Sequence, residues 1–233
     1  MEIAVFDDTN ARKRRVSAED DFELQIWSSA ALISHFLDIK GKKDDIKHIN
    51  LFCRKDAEEF NLNDPVIDGF WDIVVPYDPN ILLRIKDRKE KVFEVESFFR
   101  KVLFKIWEYK AWDSTEVELA LQRAKKVNFT YAFLLKGTPK KAPDKKHTAT
   151  VNCIVDFMSF RLTCSIYDRF RVLVREEVMV EELPSPFIFG RFVGNPVWES
   201  NEVFSVLPKL GGRPIGKVQV AENLNQMDDK TEG

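Results

Sequence analysis

Three groups of side chains in this sequence have the types and spacing for chemistry. The first is acidic. Asp7 and Asp8 end the short apolar run Ile3 to Phe6, and Asp78 ends a later run, FWDIVVPYD. Carboxylates at the carboxyl ends of parallel strands face the crevice of an α/β sheet, where their oxygens can hold Mg²⁺ for phosphoryl transfer or nuclease chemistry. The second is basic: Lys136, Lys140, Lys141, Lys145 and Lys146 crowd the segment KGTPKKAPDKKH around a single Asp144. Such a loop can grip phosphates and bind nucleic acid in a salt-dependent way. The third lies in REEVMVEEL, where Glu176, Glu177, Glu181 and Glu182 bracket Val178, Met179 and Val180. An acidic rim around an apolar strip suits a basic protein partner, whose approach it would accelerate.

Each group has a plainer use. Asp-Asp pairs recur at Asp20-Asp21, Asp44-Asp45 and Asp228-Asp229, and aspartate stops strands and starts turns by bonding its own backbone. Asp7-Asp8 therefore reads first as punctuation, with the metal role of Asp7, Asp8 and Asp78 as an alternative. Haloacid-dehalogenase phosphatases place aspartate, any residue and aspartate at such a strand end, and the adjacency of Asp7 and Asp8 departs from that pattern. Charged hairpin loops are ordinarily solvated, and edge lysines discourage strand aggregation.

Other motifs are weaker. GGRPIGKV, Gly211 to Val218, resembles a phosphate-cradling loop but has valine where a hydroxyl should ligate magnesium, and it lacks the strand-to-helix setting. Asp38-Ile39-Lys40 and Asp87-Arg88-Lys89 each satisfy half of a nuclease core without its partner acid. His35, His48 and His147 have no zinc spacing, and no serine sits in G-x-S-x-G. A second basic stretch is Arg12, Lys13, Arg14 and Arg15. No cofactor signature is present. Phe157, Phe160 and Tyr167 are candidates to flank the lysine loop as aromatic platforms.

The elements that must position these residues change character along the chain. Ile3–Phe6, Ile46–Arg54 and Phe70–Asp78 read as strands. Between Glu19 and Leu37, Phe22, Ile26, Ala30, Ile33 and Leu37 share one helical face, although Phe22, Leu24 and Ile26 also alternate as a strand would. Strand and helix alternation suggests a parallel sheet, with a thin second crossover near Asp56–Phe60. Val92, Val95, Phe98, Phe99, Val102, Leu103 and Ile106 make an apolar helical stripe, and Asp113, Ser114 or Thr115 can cap another helix, with Thr115 and Glu118 at capping-box spacing. From Asn128 the period shifts towards two, in FTYAFLLK, TATVNCIVDF, FRLTCSIYD and FRVLVREEVMVEEL, which reads as an antiparallel meander. After Pro184, frequent Gly and Pro predict mostly irregular chain.

The class expected is α+β, with an N-terminal alternating strand/helix segment, a central pair of amphipathic helices and a C-terminal antiparallel sheet. Residues 1–210 are expected as a single globular domain, subdivisible into 1–85 and 86–210, with 211–233 a flexible tail. The 233 residues carry 36 basic and 38 acidic side chains, a net charge of −2, so no global field attracts nucleic acid or membrane. The 19 Phe against 9 Gly favour a packed interior over linker. The longest uncharged run, Leu24 to Leu37, is shorter than the roughly 20 residues of a spanning helix. Cys53, Cys153 and Cys164 are odd in number and scattered, as reduced thiols of a soluble cytoplasmic protein would be. The expected function is non-catalytic protein binding, of inhibitor, immunity-protein or adaptor type, through the glutamates and an aromatic-rich sheet. Nucleic-acid binding through the lysine loop and metal-dependent catalysis through the aspartates are the alternatives.

Overall fold

A computed structural model describes residues 1–8, 21–37, 45–209 and 211–220. They form two compact units. The first takes in Met1–Tyr131, Val155–Ser159 and Leu183–Ser185, and the second Ala132–Ile154, Phe160–Glu182 and the chain from Pro186 onward. Helices and sheets are both present, as the α+β expectation required.

In the first unit β1 (Glu2–Asp7), β2 (His48–Arg54) and β3 (Phe70–Pro76) form a parallel sheet in that order. The two-residue period of a strand divides them between faces. Ile3, Ile49 and Trp71 are in register on one face, followed by Val5, Leu51 and Ile73, and all six are buried. The opposite face is wetter and consists of cross-strand rungs. His48 lies 3.4 Å from Glu2 and stacks on Phe70 at 4.4 Å. Asn50 donates to Asp72 at 2.7 Å, and Phe6 stacks on Phe52 at 5.1 Å.

Between β1 and β2 runs α1 (Phe22–Phe36), which settles the ambiguous segment as helix. Asp21 caps it by accepting from Leu24 N at 3.2 Å. The alternation of Phe22, Leu24 and Ile26 has a simple cause: α1 is buried on several sides, so its apolar residues are not confined to one stripe. This helix also seals the outer edge of β1. Ser34 Oγ accepts from Ile3 N at 2.8 Å, and Glu23 Oε1 accepts from Asp7 N at 3.1 Å. The second crossover has no helix. Residues 55–69 return as irregular chain, and Asn61 bridges Val74 beside β3.

After the short α2 (Asn80–Arg84) comes α3 (Arg88–Tyr109), capped by Asp87, which accepts from Lys89 N and Glu90 N. Its stripe, Val95, Phe98, Phe99, Val102, Leu103 and Ile106, is buried as the spacing predicts. Full burial of one such side chain contributes about 1.5–3 kcal/mol. The predicted capping box of α4 (Thr115–Lys126) does not form. Asp113 accepts from Thr115 N at 2.9 Å, and Glu118 is drawn instead to Arg100 of α3, whose guanidinium binds it through two nitrogens. A charged donor on a neighbouring helix outcompetes a local backbone N–H.

Asp156 anchors its segment to α3. It accepts from Met158 N at 2.9 Å, Ser159 N at 3.0 Å and Arg88 at 3.2 Å. Burial pushes its carboxyl up, but the two backbone bonds and Arg88 more than offset this and hold it below the ordinary 3.8.

The second unit has a five-stranded sheet in which β4 (Tyr131–Leu134; Tyr131 itself counts with the first unit), β6 (His147–Val155), β7 (Phe160–Asp168) and β8 (Leu173–Glu182) follow in order, and β5 (Lys140–Lys141) pairs with β6. This is the expected meander. The region after Pro184 is more ordered than its Gly and Pro content suggests. Past α5 (Pro186–Phe189), the strands β9 (Asn195–Trp198), β10 (Val203–Leu207) and β11 (Gly216–Gln219) form an antiparallel sheet. The Gly and Pro residues punctuate strands of four or five residues, too short for a period to show. Gly216 also permits a close approach, since a Cβ there would lie 2.7 Å from Met179 Cβ.

Two substitutions test these contacts. Ser34→Ala leaves Ile3 N–H without its acceptor and should cost about 1–2 kcal/mol in urea denaturation. Asp156→Asn should destabilise by about 1–3 kcal/mol at neutral pH. Because the folded carboxyl titrates below its unfolded value, that stabilisation is full above the unfolded value and disappears as pH falls through the folded one. Urea midpoints of the two proteins should therefore converge in strong acid.

Candidate cationic cleft

The aspartate group separates. Asp7 is in register with Cys53 and Val75 on the buried face, whereas Asp8 bonds Arg54, with Nε at 2.9 Å, on the opposite one. Adjacent residues of a strand point to opposite faces, so the two carboxylates diverge. Asp78 accepts from Asn80 N at 3.0 Å and Asn80 Nδ2 at 2.7 Å, with Lys55 at 3.6 Å. Its burial alone would raise the carboxyl, but these partners lower it below its ordinary value. Among the described residues, no group of three or more His, Cys, Asp or Glu is placed to hold a metal ion.

The glutamates divide as well. A bulge between Leu162 and Thr163 leaves Met179 as the extra residue of β8. In consequence Glu176 and Glu181 share a face with Ser165 and Arg161, while Glu177 and Glu182 pair with Cys164 and Phe160 on the buried face. Ser165 Oγ donates to Glu176 at 2.8 Å, Arg175 bonds Glu177 at 3.2 Å, and Arg191 lies 3.7 Å from Glu182.

The lysine loop, in contrast, converges with a segment not singled out in the sequence. A cleft of about 670 Å³ in the second unit is lined by Pro139, Lys141, Lys145 and Thr148 from one side and by Tyr167, Asp168, Arg169 and Arg171 from the other. The meander explains the meeting. Thr148, at the start of β6, pairs with Lys141, and the end of β7 lies beside the start of β6 because neighbouring strands run antiparallel. A pointer was present in the sequence: D-R-F-R, Asp168 to Arg171, separates two β-rich runs, with a turn-forming aspartate ahead of alternating cations.

Both loops are fixed by backbone bonding. β5 is clipped to β9 reciprocally: Lys140 Nζ donates to Pro196 O at 2.8 Å, and Trp198 Nε1 donates to Lys140 O at 2.9 Å. Beyond it, Lys145 N donates to Ala142 O and Asp144 N to Asn201 Oδ1. At the β7–β8 turn Asp168 Oδ1 accepts from Phe170 N at 2.8 Å and Val172 N at 2.9 Å. Each turn puts a cation where the backbone is left-handed, Lys145 at φ 62° and Arg171 at φ 66°. Glycine is the usual residue there, since a Cβ costs about 1–2 kcal/mol in that conformation.

Lys141, Lys145, Arg169 and Arg171 thus surround one carboxylate, and among the described residues none of the four lies within ion-pair distance of an acid. Lys146 differs, with Asp144 at 3.8 Å. Lys136 and Lys140 line a second cleft of about 620 Å³ together with Lys209. Its wall needs Gly194, where a Cβ would lie 1.9 Å from Leu207 O. Alternation along β5 sends Lys140 and Lys141 to different clefts. Of the expected aromatic platforms, Phe157 and Phe160 are buried in packing, and only Tyr167 lines a cleft.

The remaining candidates have structural settings. Burial raises the thiols of Cys153 and Cys164 to about 12, the latter with help from Glu177, and burial with Asp7 and Glu23 drives Cys53 higher still. Asp87 of the second D-x-K triplet caps α3, and Lys217 of the glycine-rich motif lies in β11 bonded to Glu199 at 2.7 Å. The Asp38 triplet, Arg12–Arg15 and residues 221–233 lie outside the described residues. Among the described residues, no helix is long and apolar enough to cross a membrane. Comparison of the chain with protein-family models, curated proteins and solved structures found no match.

Proposed function

We propose that this chain is a non-catalytic binding protein of the cytoplasm whose ligand is the phosphate backbone of a nucleic acid, held in the cleft of Lys141, Lys145, Arg169 and Arg171. The observation that carries this reading is the convergence of two separate loops on one concavity with cations that have no acidic partner within ion-pair distance. Grouping like charges opposes folding, and a polyanion that replaces its counterions with these side chains relieves the repulsion. Lys145 and Arg171, two of seven described non-glycine residues with positive φ, keep a charged side chain at the cleft where glycine would be less strained. The three free, buried cysteines fit a reducing compartment.

The test is anisotropy titration of labelled RNA and DNA oligonucleotides over a salt series. Replacing all four cations with alanine should lower the slope of log K against log salt by about 3, at about 0.7 per contact to a single strand. Lys145→Gly and Arg171→Gly should weaken binding yet leave stability unchanged or higher by up to about 1 kcal/mol, because glycine relieves the strained turn. Wild-type protein that binds no oligonucleotide at low salt would sink the proposal.

A second reading, binding of another protein, is favoured by the bulge of β8. It puts Glu176 and Glu181 on one face with Val178, which is 50% exposed. Under it, Glu176→Lys with Glu181→Lys should remove a stoichiometric protein partner recovered from cell extract while oligonucleotide affinity does not fall.

A further inference from the structure

We infer that the cleft takes single-stranded nucleic acid, with Phe170 at the hairpin tip as a platform on which an unpaired base stacks. This deepens the phosphate-binding reading and rests on it. Phe170 is 71% exposed, more than any other large hydrophobic residue described, and it stands between Arg169 and Arg171, which both line the cleft. Its position is fixed by its own N–H, which Asp168 accepts, so the ring is presented on an ordered turn. The Arg169 guanidinium lies 4.6 Å from the ring centroid. A cation over one face of a phenyl ring leaves the other for a flat partner, and Arg169 remains at the cleft to meet a phosphate.

Single strands are held by this combination: a cationic groove follows the backbone while exposed rings receive bases, which every nucleobase can supply because each has a π face. In a duplex the bases are stacked on one another and closed to the ring. An anionic membrane is the competing surface, because Val172 and Leu173, 60% and 49% exposed, adjoin the tip. The observations favour the nucleic acid. The cations line a concavity and have Tyr167 among them, whereas a bilayer would meet the projecting tip and leave a recessed cleft unfilled.

The experiment compares wild-type protein with Phe170→Ala, Phe170→Leu and Phe170→Trp, titrating single-stranded oligouridylate, an abasic oligomer of equal length, a duplex and vesicles containing phosphatidylserine. The inference expects Phe170→Ala and Phe170→Leu to lose about 5- to 100-fold in affinity for oligouridylate, Phe170→Trp to retain it, and all four proteins to bind the abasic oligomer alike. Phe170→Leu decides between stacking and simple apolar contact, since it keeps most of the apolar surface without the π face. If Phe170→Ala binds oligouridylate as tightly as wild type, or the duplex binds as well as the single strand, the inference is overturned while the phosphate reading stands. Vesicle binding that falls with Phe170→Ala, with no oligonucleotide bound, overturns both.

Discussion

Strand edges set the terms for this chain. An edge exposes a row of N–H and C=O groups that must find partners or recruit another strand. In the first unit α1 meets that demand at β1, where Ser34 and Glu23 accept the outward N–H groups of Ile3 and Asp7. The sheet can therefore end after three strands. Because α1 is fixed along that edge, its apolar residues are directed into the core shared with α3 and α4.

The second unit handles the same constraint with a bulge and with turns. At Met179 the extra residue of β8 meets Gly216 of β11, and the local shift in facing divides the glutamates. At the ends of β5 and β7 the backbone is closed by Asp144 and Asp168, which bond N–H groups of their own turns. Asp168 is thus tied into structure, and the neighbouring cations retain a net positive field. Backbone accounting and surface charge are in this way connected: among the described residues, the acid that shapes the turn is the only one lining the cleft.

What could be read from the sequence follows from the range of the interaction. α3 was legible because seven apolar residues repeat over its length and local periodicity suffices. Asp21 and Asp87 cap their helices through equally local bonds, yet neither was singled out as a cap in the sequence. The capping box at Thr115 was misread because Glu118 answers to Arg100, a residue on another helix. The acidic rim looked continuous because one extra residue in a strand leaves no mark in composition. The lysine loop was visible as charge, but its partner arginines become neighbours only through the antiparallel pairing of β6 with β7, which no local pattern specifies.

The rungs on the wetter face of the parallel sheet have an evolutionary corollary. Asn50 with Asp72, Asp8 with Arg54, and Glu2 with His48 are matched at solvent-exposed positions, where each contact contributes little and water can replace either member. Kin of this chain should accordingly keep opposite members complementary as a bias and not as a rule, with single exchanges tolerated at each rung.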